Sequence, residues 1–509
     1  MARTARRQRR QKQGQGTVPQ LPWRQVDNPY PPMEPLSADQ VEAIHLASLT
    51  ILENLGIEVM GEDVQALFRD AGATVDAGTG NVRLDRGLVE QALATAPPSF
   101  TLTPRNAERA ISVGGKRINF GFVSGAPNVH DRIKGRRAGN MRDFETLMKF
   151  AQSFNCVHFM GNQVAPPIEL PPNNRHLDTY RAALTLTDKV ISGVPIGGGR
   201  IRDLIEMTAI VRGMTVEALE GDTSVLGNIN INSPRKLDQE MAHGAMMLAR
   251  YNQATIVTPF TLMGAMTPVT MAAALAQQNA EALLGITLTQ LVRPGAPVVY
   301  GAFTSNVDMR SGAPTFGTPE NAKANLASAQ FARRYRLPHR TSACNAANTV
   351  DAQAAYETEM ALTGAVFGHG NLIYHAVGWL EGGLVASFEK IVLDVELVQH
   401  MMELLTPIDT SDDALGIEAI AEVAPGGHFF GSPHTMARYE KAFYQPLLSD
   451  WRNSQAWEEA GGASATERAT GLWQQVLADY REPPMDPGRL EALDGYINRR
   501  RLEIGDGDP

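Results

Sequence analysis

The sequence predicts an α/β protein, a (β/α)8 TIM barrel with a helical N-terminal region and a C-terminal helical extension, and three observations carry that prediction. After about residue 117, short β-branched runs alternate with helical stretches eight times, over about 290 residues. Hydrophobic residues make up 43% of the 509 and charged residues 20%, enough apolar side chain for one large core. The first strand runs into Gly121-Phe122-Val123-Ser124-Gly125-Ala126-Pro127, which lacks the G-x-G-x-x-G turn of a dinucleotide-binding open sheet.

Residues 1–30 form a predicted disordered basic tail. Arg3, Arg6, Arg7, Arg9, Arg10, Lys12 and Arg24 stand there with no acid before Asp27, and too little apolar surface is present to bury. No apolar stretch follows the charges, so a secretory or twin-arginine signal is excluded. The body therefore carries more than the whole formal charge of −9, which argues against nucleic acid.

Residues 31–116 are a helical region packed on the barrel. Val41, Ile44, Leu46, Leu49, Ile51 and Leu52 recur at helical spacing over 38–55, with Ser37 as N-cap and Gly56 as stop. Further helices are expected at 62–71 and 85–96. Residues 117–405 are the barrel, with strands at 118–124, 157–162, 190–196, 224–232, 255–260, 298–304, 340–346 and 372–379. The helices follow at 142–154, 174–187, 200–213, 236–250, 269–291, 319–335, 351–367 and 386–404. Residues 406–509 form the extension, with a loop-like insert at 425–434.

No apolar run approaches the ~18 residues of a membrane span. Cys156 and Cys344 are too distant and too few for a disulfide framework, and a reducing cytoplasm is the predicted compartment. The sequence contains no H-E-x-x-H, C-x-x-C or G-x-S-x-G motif, so no metal site and no serine nucleophile is expected.

A barrel does its chemistry at the C-terminal ends of its strands. The fourth strand alternates Asn228, Asn230 and Asn232 with Ile229 and Ile231, so period two collects three amides on one face. They serve an internal polar network or a ligand, with Asn230 and Asn232 nearer the rim. The fifth strand ends in Thr258-Pro259-Phe260, the sixth offers Tyr300 and Phe303, and the eighth has His375 and Trp379 on one face with Glu381 beyond. Aromatic walls with a nearby carboxylate suit a quaternary ammonium.

Seven segments, in order, resemble the trimethylamine methyltransferase family in its branch lacking pyrrolysine: IHLASLTILENLGIEV at 44–59, FGFVSGAPNV at 120–129, TDKVISG at 187–193, DAQAAYE at 351–357, LIYHAVGWLEGGLVASFEK at 372–390, PGGHFFGSPHT at 425–435 and PMDPGRLEAL at 484–493. The resemblance implies a TIM barrel that moves a methyl group from a methylated amine to the Co(I) of a separate corrinoid protein, so the corrinoid is carried by a partner. Pyrrolysine would stand in the neighbourhood of 345–357, where this chain has only standard residues. A tertiary amine has a lone pair that can add to the pyrrolysine ring, whereas a quaternary amine has none and is already a cation. Glycine betaine or a related betaine is therefore the expected substrate.

In that reading His375, Glu357 and Glu381 are the candidate catalytic residues, the two carboxylates as counter-charges. Trp379, Tyr300, Phe303 and Tyr356 are candidate cage walls, and Asn230, Asn232 and Arg310 candidates for the substrate carboxylate. A homo-oligomer is expected. Two alternatives stand beside it: a demethylase with another methyl acceptor, and a non-catalytic quaternary-amine binder.

Overall fold

The computed structural model describes residues 18–161 and 163–509. Its largest sheet runs Arg117–Phe122, Leu372–Val377, His339–Ser342, Val298–Gly301, Ala254–Met263, Leu226–Ile231 and Ser192–Gly193, all parallel neighbours, with Val26–Asp27 added antiparallel to the first. The sheet curls, and helices cover its outer face. Two single-residue parallel bridges, Gly121 to Phe159 and Phe159 to Val190, link its two edges. A Cβ at residue 121 would overlap the Phe159 ring, so glycine is what lets this side chain enter.

Each expected helix has a counterpart, among them Met141–Ser153, Arg175–Leu186, Gly198–Arg212, Gln239–Arg250, Met271–Val292, Pro319–Arg334, Ala352–Phe367 and Phe388–Leu404. Asn140, Asp238, Thr318, Asp351 and Ser387 cap five of them with side-chain oxygens. The strands differ more. Residues 298–304 break at Ala302 into Val298–Gly301 and Phe303–Val307, and 372–379 breaks at Gly378 after an irregularity in register at His375.

Before the sheet, Ala38–Thr50 begins with a Ser37–Gln40 capping box and ends in a π turn, Ile51–Leu55, stopped by Gly56 at φ +69°. Leu49, Leu52, Val64, Phe68 and Val89 from this region share a core with Leu275, Leu283 and Ile286 of Met271–Val292. A small sheet that the sequence did not announce, made of Ile57–Val59, Asn81–Arg83, Thr74–Val75 and Lys236–Leu237, stitches it to the main unit. The hairpin of Ser99–Leu102 and Ile111–Gly114 sends Leu102, Ile111 and Val113 against Leu226, Ala254, Val299 and Leu372, closing the N-terminal end of the strands.

Residues 1–17 of the expected disordered tail lie outside the described residues, and the rest of that expectation is corrected. Val18 and Val26 are buried, Gln20 donates to the Ser153 carbonyl at 2.9 Å, and Arg24 pairs with Glu403 at 2.8 Å. The apolar residues Val18, Leu21, Trp23 and Val26 supply the anchors that the basic residues lack.

After the last helix of the sheet, Ala465–Asp479 packs Trp473 and Val476 on Phe388–Leu404. Pro487–Ile504 packs on Gly198–Arg212. Between them, residues 407–443 leave Ile408, Ile417, Phe430 and Phe443 on the surface. Among the described residues no helix is long and apolar enough to cross a membrane.

Candidate active site

A cavity of about 580 Å³ opens at the C-terminal ends of the strands. In Leu226–Ile231 the alternation largely works as read: Ile229 and Ile231 join the core under the helical layer, though Ile231 also borders the cavity, while Asn228 and Asn230 line it, followed by Asn232. Thr258 Oγ1 donates to Asn228 Oδ1 at 2.7 Å, and Asn228 Nδ2 donates to Asn230 Oδ1 at 3.2 Å. Asn232 Nδ2 is spent on Asp238 at 3.0 Å. The amide nitrogen of Asn230, in an exposed residue, is left open to the cavity.

The inner wall is aromatic. Phe303 lies 5.0 Å from Phe260, 6.1 Å from Trp379 and 5.8 Å from His375, centroid to centroid. Trp379 is fixed by its indole N–H, which donates to the Asn345 carbonyl at 3.1 Å, and its ring stands 4.1 Å from that of His375.

Between these rings stands Arg340, a residue the sequence reading passed over. It is 2% exposed and lines the cavity, and no carboxylate approaches it among the described residues. Its guanidinium lies 4.6 Å from the Tyr374 centroid and 5.2 Å from that of Phe303, and Nη1 donates to the Ala302 carbonyl at 3.1 Å. Nε has no partner. Burial lowers its pKa to about 10, so the cation persists at neutral pH.

His375 sits beside it in a left-handed backbone conformation, φ +60°, a costly geometry for a residue with a Cβ. Burial, and then the charge of Arg340, hold the imidazole pKa well below 6.5, so the ring is neutral. Its Nδ1 lies 3.4 Å from the Ser124 backbone N–H and its Nε2 lies 3.3 Å from Arg340 Nη2. A neutral imidazole has one accepting nitrogen, so it cannot satisfy both donors. Either Nδ1 accepts from Ser124 and Nε2–H faces Arg340 Nη2, or Nε2 accepts from Arg340 and Nδ1–H faces Ser124; one donor is left over in both. No acidic residue lines the cavity among the described residues.

Of the residues expected from sequence, the cavity brings together His375, Trp379, Phe303, Asn230 and Asn232. It does not include Tyr300, Tyr356, Glu357, Glu381 or Arg310. Tyr300 and Phe303 are three apart, and unbroken alternation cannot turn both inward; Tyr300 faces the helices, where its hydroxyl bonds Gln278 and Asn279 at 2.8 and 2.9 Å. Tyr356 is 62% exposed on Ala352–Phe367. Glu357 accepts the N–H groups of Ala346 and Ala347, each at 2.9 Å, and so steadies the loop whose Asn345 holds Trp379. Glu381 pairs with Arg136 at 3.0 Å, and Arg310 lies in an exposed turn built on Asp308. The counter-charge expected from Glu357 and Glu381 is thus absent from the cavity wall, since both carboxylates are occupied elsewhere.

The chain is similar to known proteins over nearly its whole length. The chain is 35% identical over 472 residues to a glycine betaine methyltransferase of Desulfitobacterium hafniense, covering 92% of this chain and 98% of that one. It is 29% identical over 477 residues to a trimethylamine methyltransferase of the same species, covering 92% and 94%. A proline betaine:corrinoid methyltransferase of Eubacterium limosum is 27% identical over 477 residues, covering 91% and 96%. The description of the trimethylamine methyltransferase (MTTB) family matches residues 2–505, and the chain belongs to that family.

Proposed function

We propose that this protein transfers a methyl group from glycine betaine or a related betaine to the Co(I) of a corrinoid protein. The observation that carries the reading is Arg340, a buried guanidinium that lines the cavity beside the His375 ring and meets no carboxylate among the described residues. A substrate carboxylate between them accepts from both and leaves His375 Nδ1 to Ser124. The trimethylammonium end then lies against Trp379 and Phe260, since the face of Phe303 is already taken by Arg340. Trimethylamine has no carboxylate and gives these donors nothing. Relatives named for glycine betaine and proline betaine support the same substrate class.

The chain's own work is positioning and electrostatics. Arg340 and His375 anchor one end of the substrate, and the aromatic wall excludes water around the cation. The methyl carbon passes to Co(I), the nucleophile that the partner supplies. The C–N bond breaks, and its electron pair stays on nitrogen, which departs as a neutral tertiary amine. No side chain has to act as nucleophile.

We read the curled sheet as a closed (β/α)8 barrel, supported by the two bridges at Phe159. The corrinoid partner approaches the open rim, where Ile168, Val269, Met309 and Leu384 are each more than half exposed on loops following the strands. The apolar surface of residues 407–443 supports a homo-oligomer, and the buried free Cys156 and Cys344 fit the cytoplasm. The test is to mix the purified protein with reduced cobalamin and a panel of betaines and follow loss of Co(I) by absorbance. Turnover with a betaine is expected; turnover with trimethylamine alone, or with no methylated amine, overturns the reading.

A further inference from the structure

A second pocket, of about 250 Å³, lies beside the active cavity and shares Gln163, Val194 and Ile196 with it. Its walls are mostly apolar, with Met148, Met160 and Ile191 among them, yet it contains a buried polar group without a partner. His176 is 3% exposed, and its Nε2 lies 2.8 Å from Asp203 Oδ2. Asp203 also accepts from the Tyr496 hydroxyl and from Arg500 Nε, both at 2.7 Å. Burial pushes this carboxyl's pKa up, but the hydrogen bonds from His176, Tyr496 and Arg500 outweigh it and hold the group ionised. Asp203 accepts from Nε2, so that ring nitrogen carries a hydrogen and Nδ1 is the atom left to the pocket. Nδ1 has no partner among the described residues. Arg175, the neighbouring residue on the first turn of the same helix, lines the pocket too, and its guanidinium makes no hydrogen bond or ion pair among the described residues.

We infer that this pocket binds the demethylated product, a tertiary ammonium that carries a carboxylate, with its N–H donated to His176 Nδ1 and its carboxylate on Arg175. The inference rests on the betaine reading above. Loss of the methyl group leaves a lone pair on nitrogen, and in water that nitrogen takes up one proton and becomes a donor. The quaternary substrate has no N–H and cannot satisfy Nδ1. The two cavities thus sort by a single hydrogen: the active cavity grips a carboxylate beside a cation without donors, and the side pocket requires one. The shared wall at Gln163, Val194 and Ile196 makes the transfer a short step and clears the active cavity for the next betaine.

The test is calorimetric titration of the full chain, without corrinoid, with N,N-dimethylglycine and separately with glycine betaine. Two sites for N,N-dimethylglycine are expected in the native protein. Arg175→Gln and His176→Phe should each weaken the second by at least tenfold while glycine betaine affinity changes less than twofold; Arg175→Gln serves if loss of the Asp203 contact prevents folding. In turnover, N,N-dimethylglycine should inhibit in a mixed pattern that becomes competitive in Arg175→Gln. A single native site, or two sites unchanged in both variants, overturns the inference even if betaines donate methyl groups. Failure of every betaine as a methyl donor, with Arg175-sensitive binding retained, defeats the functional reading and leaves the pocket's ligand as assigned.

Discussion

Arg340 and Lys390 are both buried cations, and their surroundings are opposite. Lys390 is fully buried on Phe388–Leu404, bonded to the Asp394 carboxylate and, at 2.9 Å, to Thr358. Asp394 in turn accepts the Gly378 N–H at 2.7 Å, which fixes the chain between His375 and Trp379. Arg340 is almost as buried, but it meets aromatic faces, one carbonyl and a neutral imidazole. The lysine pair is complete within the fold. The arginine is complete only when something anionic arrives, and this distinguishes a structural charge from one held ready for a ligand.

The comparison can be broken most strongly at the lysine. Lys390→Met leaves Asp394, whose carboxyl pKa burial already raises to about 6, unpaired in the core, and denaturant unfolding should record a loss of about 3–5 kcal/mol. Arg340→Met should do the reverse, keeping or raising the melting temperature because it removes an uncompensated charge. Its KM for betaine should rise by at least about 30-fold, the ratio that corresponds to the low end of the 2–5 kcal/mol lost with one partner of a buried charged contact.

Buried histidines form a third kind of base, neutral by desolvation. Burial lowers the pKa of His158 to about 4 and that of His339 to about 3, and holds His375 well below 6.5. In the unfolded chain each protonates near 6.5, so the folded state binds fewer protons below that pH. Their contribution is complete above pH 6.5 and is lost as pH falls toward about 4 for His158 and about 3 for His339. Melting curves between pH 7 and 5 should show stability falling, by about 1.4 kcal/mol per imidazole for each pH unit below 6.5. The smallest expected effect is that of Trp379→Ala, which should weaken betaine binding by about 1–2 kcal/mol as the cation loses one aromatic face. Unchanged affinity would return Trp379 to a packing role.

Most of the architecture was legible because long helices repeat their apolar positions and carry caps, as Ser37 and Asp351 do. The small N-terminal sheet was not, because strands of two or three residues such as Thr74–Val75 are too short to display an alternation. In the site, the three asparagines of the fourth expected strand could be read from period two. Tyr300 could not be separated from Phe303 without knowing that the strand breaks at Ala302. Arg340 escaped because barrel chemistry is expected at the C-terminal ends of strands. It stands near the start of His339–Ser342, and its side chain is long enough to cover the rise of about two strand residues and reach the cavity. An arginine followed by the small residues Thr341, Ser342 and Ala343 in an expected barrel strand was the available signal.

A cavity built around Arg340 should select for a carboxylate. Calorimetric binding of glycine betaine and choline, which share the trimethylammonium group and differ in the carboxylate, measures this directly on the native protein and on Arg340→Met. Glycine betaine should bind at least about 30-fold more tightly than choline to the native protein, and the preference should vanish in the variant. Equal affinity for the two ligands, or a preference that survives the loss of Arg340, would contradict the account.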